Sequence, residues 1–276
     1  MLRRLTYLAR LADVEMQFGW ERTRFSRITQ LTAFYLWTRW KHLQFDPTCL
    51  TREKLTSFGR KIKAKGAPLD SIVGLIDGTL QKNARPIHNQ HLIYNGWKQI
   101  YCLKYHAVIL PDGLVIHVYG PVDGRRHDQK VFTESGLEDL LEKHFWTPNG
   151  QPLFLYGDPA YRDGAHILSP YRGPIITEDQ QAFNTQMSRI REPIEWLFKE
   201  VAQKFTFIDF SRSQKILLTT CALYYLVALL MCNAHTILHY PQIPQCFTCP
   251  PPTLEEYFQG GPVEDPELDN WCLDSV

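Results

Sequence analysis

A chain of 276 residues, 44% hydrophobic and 21% charged, can close a sizeable core around one large domain, which excludes a disordered or fibrous class. Its net charge of +1 hides a division, because 14 Lys and Arg stand against five acids in residues 1–65 while residues 250–276 carry seven acids and no Lys or Arg. The front end can therefore face phosphates, and seven scattered cysteines argue against a disulfide framework and for a reducing compartment.

The N-terminal MLRRLTYLARL lacks the apolar run of a secretion signal. Leu11, Val14 and Phe18 at helical spacing predict a helix over LADVEMQF that stops at Gly19. WERTRFSRITQLTAFYLW predicts a second helix with Thr23 or Ser26 as its N-cap. Helix, short glycine turn and arginine-bearing helix form the outline of a helix-turn-helix, in which Arg22, Arg24 and Arg27 would meet phosphates or base edges. A plain helical hairpin with a solvated basic face fits the same residues. A further helix over residues 51–66 ends in the basic run RKIKAKG, completing a basic helical region at 1–66.

From Ser71 the pattern turns to strands. SIVGLIDGT predicts a buried strand ending at Asp77 and Gly78, and strands at 100–110 and 114–119 flank Pro111-Asp112-Gly113 as an antiparallel hairpin. Residues 127–144 are helical with a break at Gly136. LFLYGD then closes a core strand on Asp158, because Pro159 cannot donate to a ladder, and HIL at 166–168 gives a short strand. Thr177-Glu-Asp-Gln180 is a capping box opening a long amphipathic helix marked by Phe183, Met187, Ile190, Ile194, Leu197, Val201 and Phe205. Pro193 implies a kink or a fresh start within it. The uncharged stretch at 216–231 is shorter than the roughly 20 residues of a membrane span and predicts a buried core helix, with no membrane partner. From Pro241 a Pro-rich acidic tail, 241–276, is expected to be extended or disordered. Cys246-Phe-Thr-Cys249 with His235 and His239 uses zinc-ligand residue types, but histidines on an apolar helix ahead of the cysteines make incidental thiols the better reading.

The alternation of strands and helices over 67–240 predicts an α/β domain in which one strand ends on Asp77 and another on Asp158. If those strands are neighbours, two like charges meet at one sheet edge, which is stable only with a cation between them. A third acid from the long helix would complete the set, and Glu192 and Glu195 are the candidates.

LIDGT, the hairpin ending in YGPVDGRRHD, YGDPAY and RIREPIEWLFKEV together resemble the DDE endonuclease domain of PIF/Harbinger-type transposases, from about Leu11 to PPTLEEYF at 251–258. The resemblance implies an RNase H-like mixed sheet flanked by helices and a DNA nuclease and strand-transfer chemistry dependent on Mg²⁺ or Mn²⁺. It sets the triad on Asp77, Asp158 and Glu195, the last because it occupies the Arg-x-x-Ile-Glu position. Asp128 matches a characteristic position in a supporting role, as a metal contact or as a cap on helix amides. His127, Arg125 and Arg126 share its loop and could face DNA phosphate. The resemblance further implies a nuclear location, otherwise a cytoplasmic one, with DNA, a Myb-like protein and a second copy of the chain as partners. It also reads the helix-turn-helix-like region, which starts at Met1, as shortened. A domesticated derivative that binds DNA or protein without cutting is the alternative.

If Arg22, Arg24 and Arg27 contact phosphate, charge reversal at all three is expected to weaken binding to every DNA sequence alike and to flatten its salt dependence. Mobility shifts across a salt series measure this, and unchanged binding would leave the segment a packing element.

Overall fold

The computed structural model describes residues 1–46, 50–216 and 218–260. Three N-terminal helices, α1 (Leu2–Thr6), α2 (Leu11–Phe18) and α3 (Arg22–Trp40), precede α4 (Arg52–Ala64). Gly19 ends α2 in the left-handed conformation, as a glycine C-cap does. The α3 helix starts earlier than its sequence suggests: Glu21, not Thr23 or Ser26, is the N-cap, because helical conformation already begins at Arg22. It buries Phe25, Thr29, Ala33 and Thr38, and α4, capped by the Thr51 side chain, buries Leu55, Phe58 and Ile62 against the first strand.

Strands β1 (Ile72–Lys82), β2 (Tyr94–Asn95), β3 (Ile100–Ile109), β4 (Val115–Asp123), β5 (Phe154–Tyr156) and β6 (Ile167–Leu168) form a six-stranded sheet among the described residues. Its order is β2-β3-β1-β5-β6, with β4 also paired to β3. The pairs β1–β3, β2–β3 and β3–β4 are antiparallel, whereas β1–β5 and β5–β6 are parallel. The hairpin at Pro111-Asp112-Gly113 forms as its turn residues demand. By contrast, β1 does not stop at Asp77: its antiparallel partner is long enough to keep pairing through Lys82 opposite Cys102.

Helices pack against the sheet along β1, β3 and β4. Short α5 (Gln90–Ile93) precedes β2, while α6 (Asp128–Glu134) and α7 (Leu137–His144) are divided at Gly136. The capping box at Thr177 opens α8 (Glu178–Lys204), which runs unbroken through Pro193. A proline inside a helix costs about 3 kcal/mol, yet Met187 and Ile190 before it and Ile194, Leu197 and Val201 after it are all buried, so core packing outweighs the lost hydrogen bond. After α9 (Thr206–Asp209), the apolar segment forms α10 (Cys221–His239), which starts at Cys221 rather than 216 and runs past 231; it is long and apolar enough to cross a membrane but is mostly buried against α3, α8 and β4.

Asn233 fixes that packing. Its side chain pairs with both the N–H and the carbonyl of Val115 at the start of β4, and donates to the Tyr257 hydroxyl at 2.7 Å. Tyr257 belongs to α12 (Leu254–Tyr257), which follows α11 (Gln242–Cys246). The segment after Pro241 is therefore folded up to residue 260 rather than extended, because Ile243, Phe247, Cys249 and Tyr257 bury their side chains. Residues 261–276, the rest of the expected tail, lie outside the described residues.

At the hairpin turn Asp112 is 1% exposed, with Lys54 Nζ 3.8 Å away and the Leu114 N–H donating to it. Burial pushes its carboxyl up to about 6, against the opposing pull of Lys54. A pKa above that of an unfolded aspartate means that the ionised form costs stability above about pH 6, a cost that fades as pH falls toward 3.8. Asp112→Asn is therefore expected to raise stability by about 2–3 kcal/mol at pH 7.5, with the gain narrowing as pH falls through 6. Urea denaturation of both proteins across that pH range measures it.

Candidate active site

The parallel ladder between β1 and β5 has its last pair at Leu75 and Tyr156. Asp77 and Asp158 each lie two residues beyond that pair, at equivalent positions past the carboxyl end of the ladder. In open α/β sheets that end is where ligands bind. Asp158 has left the ladder; its Oδ1 accepts from the Ala160 N–H at 2.9 Å in a turn that Pro159 enforces. Asp77 remains in β1 opposite Ala107, its Oδ1 2.8 Å from the Gly78 amide.

Burial pushes the Asp77 carboxyl up to about 6, Arg191 opposes that shift, and the charges of Asp158 and then Asp128 add to it. The first two aspartates thus share one electrostatic site, as the strand order demands. Glu195 joins through an intermediary. Arg191, one turn earlier on α8, sets Nη1 3.8 Å from Asp77 Oδ2 and Nη2 3.3 Å from Glu195 Oε1. Glu192 is exposed, and the arginine bridge goes to Glu195 instead.

Asp128 holds a different cation. Its Oδ1 lies 3.0 Å from Lys104 Nζ, which also donates to the Arg126 carbonyl at 2.7 Å. It is the first residue of α6 with His127 at the N-cap, and this lysine, rather than the helix amides, engages its carboxylate. Gly78 makes room for it: a Cβ at that position would stand 2.1 Å from Asp128 Oδ1. In the same loop Arg126 pairs with Asp123 and Glu134, whereas Arg125 and His127 are exposed. Near the aspartates lies Tyr161, fully buried, its hydroxyl without a hydrogen-bond partner. Burial raises its phenol well above the usual range, with the charges of Asp128, Asp77 and Asp158 adding to the effect. Its ring fits because the strand end is glycine: a Cβ on Gly157 would meet it at 2.8 Å.

Sequence reasoning set Arg191 on the face of Glu195 without its link to Asp77, and missed Lys104 and Tyr161. Lys104 had a signal, a lone cation in the apolar strand CLKYHAVIL.

Carboxylate oxygens are the donors that hard divalent cations take, and a buried Asp77 beside Asp158 is short of positive charge, so the residues fit such an ion. The oxygens do not yet form a cage: among the described residues no three His, Cys, Asp or Glu side chains lie together as metal ligands, and the same holds around Cys246, Cys249, His235 and His239.

Compared with known protein families, residues 76–233 match the DDE superfamily endonuclease family, more than half of the chain. The chain belongs to that family. The matched span of this DDE superfamily endonuclease runs from β1, with Asp77, through Asp158 and Glu195 to Asn233 of α10. Comparison with curated proteins and with solved structures finds no match.

Gly78→Ala is expected to push Asp128 off Lys104 and to destabilise the protein by about 1–3 kcal/mol, as overpacking does. In urea denaturation the double variant Gly78→Ala/Asp128→Ala should lose less than the two single variants summed, since the clash is shared.

Proposed function

We propose that the chain is a divalent-metal-dependent DNA endonuclease of the PIF/Harbinger transposase type, with Asp77, Asp158 and Glu195 as its carboxylate triad. The observation that carries this reading is the pair of aspartates equidistant past the end of the β1–β5 ladder. The strand order β4-β3-β1-β5-β6, antiparallel up to β1 and parallel after it, supports an RNase H-like fold.

DDE endonucleases use divalent metals, and Mg²⁺ or Mn²⁺, when bound, would help activate the attacking water or 3′-hydroxyl and stabilise the leaving oxygen. The chain's own contribution is placement. Asp77 is held rigidly in β1, Asp158 by its turn and Glu195 by a helix anchored in the core. Tyr161 is fully buried near the aspartates, its ring against Gly157 at the end of β5 and edge-on to Phe132. Lys104 ties Asp128 and the Arg126 carbonyl together, which fixes the loop carrying Arg125 and His127 toward a DNA phosphate. Arg126 is committed to Asp123 and Glu134 and serves that loop from within.

On the N-terminal helices Arg24 and Arg27 are exposed, and Arg24 lies over the Trp20 ring, while Arg22 is paired with Glu15 at 2.6 Å. These side chains supply the DNA affinity of the proposal. A nuclear location, a Myb-like recognition partner and a homo-oligomer belong to the same reading.

Asp158→Asn is nearly isosteric and removes one charged ligand. Metal-dependent nicking of plasmid DNA should fall by at least about a hundredfold while DNA binding persists. Mg²⁺ should raise the melting temperature of wild type and not that of the variant. A wild-type chain that binds DNA yet shows neither nicking nor metal-induced stabilisation would replace this reading with a non-cutting DNA-binding derivative.

A further inference from the structure

Resting on the metal-site reading above, we propose that Arg191 is the site's own counter-cation: its guanidinium holds the place between Asp77 and Glu195 and gives way when a divalent ion binds. An ordinary helix-surface pair would leave both partners in solvent. Here the Arg191 side chain is 22% exposed and points inward, while Glu195 is 51% exposed. The guanidinium reaches across to β1 as well as along its own helix, so it links two elements that the sequence does not join.

Its hold is electrostatic and loose. The 3.8 Å between Nη1 and Asp77 is too long for a hydrogen bond, and buried Nη1 has no hydrogen-bond partner. No bidentate fork forms on either acid, the arrangement that makes arginine–carboxylate pairs strong. An ion with shorter contacts to the same oxygens can therefore displace the arginine by side-chain rotation alone. The helix need not move, because Met187, Ile190, Ile194 and Leu197 pin α8 on both sides of Arg191.

A competitor that is removed should leave its rival binding tighter. Calorimetric titration of the full chain with Mn²⁺ tests this on wild type, Arg191→Gln, Arg191→Lys and Asp158→Asn. Arg191→Gln is expected to bind Mn²⁺ about threefold to tenfold tighter and to show a larger Mn²⁺-induced rise in melting temperature. Arg191→Lys, whose single ammonium cannot span both acids, should fall between the two. A purely structural role for Arg191 would weaken or spare metal binding, and either result for Arg191→Gln overturns the proposal.

Asp158→Asn separates the two levels of the argument. If it loses Mn²⁺ affinity while Arg191→Gln matches wild type, the metal site stands and the counter-cation does not. If wild type itself takes up no Mn²⁺, both fall. Should Arg191→Gln fail to fold with or without Mn²⁺, the lysine variant decides, with affinity tighter than wild type supporting the proposal and equal or weaker affinity overturning it.

Discussion

Two aspartates held at the end of one parallel ladder repel each other, and the surrounding structure is arranged around that repulsion. A third carboxylate, Asp128, adds to it from the far side of Gly78. Against these stand two cations on separate elements, Arg191 from α8 and Lys104 from β3. Each is tied to a second group, Glu195 for the arginine and the Arg126 carbonyl for the lysine, so charge compensation also positions the loop and the helix that frame the site.

Such an arrangement needs a stiff frame, since like charges would otherwise part. The frame comes from α8 and α10. Buried residues on both sides of Pro193 keep α8 continuous, and Asn233 fastens α10 to the first residue of β4 and to Tyr257. Buried, fully paired amides of this kind specify one packing over its alternatives, because any shift leaves them unsatisfied in a low-dielectric interior.

Much of this was legible in local chemistry. Proline after Asp158 marked the end of the strand, which comes two residues sooner at Tyr156, Pro-Asp-Gly marked the hairpin, and Thr177 with Gln180 marked the start of α8, since each signal depends on neighbours a few residues away. What escaped depended on distance in sequence. Gly78 reads as a strand stop until the length of β3 is known, and Pro193 reads as a break until its flanks are seen in the core. The C-terminal prolines hid α11 and α12, whose burial is decided by α10 and the hairpin. The carboxylate Asp128 read as a helix cap or a metal contact because Lys104 lies 24 residues away and meets it only once the sheet has formed. The arginine bridge from α8 to β1 was beyond reach for the same reason, although its helical half was visible in the spacing.

The way the two ends of the chain close on each other bears on how the protein is made. The Thr206 hydroxyl donates to the Thr6 carbonyl, and the His42 ring meets the Gln259 carbonyl, contacts spanning 200 and 217 positions. The basic helices α1 and α3 thus rest on surfaces made much later in the chain, α1 on α9 and α3 on α10. Ladders and helix contacts of such long range fold slowly, and the early segments, with Leu5 and Ala33 awaiting α9 and α10, stay exposed to wrong partners in the interval. Removing α9 and α10 would therefore strip cover from α1 and α3 as much as from the C-terminal segments themselves.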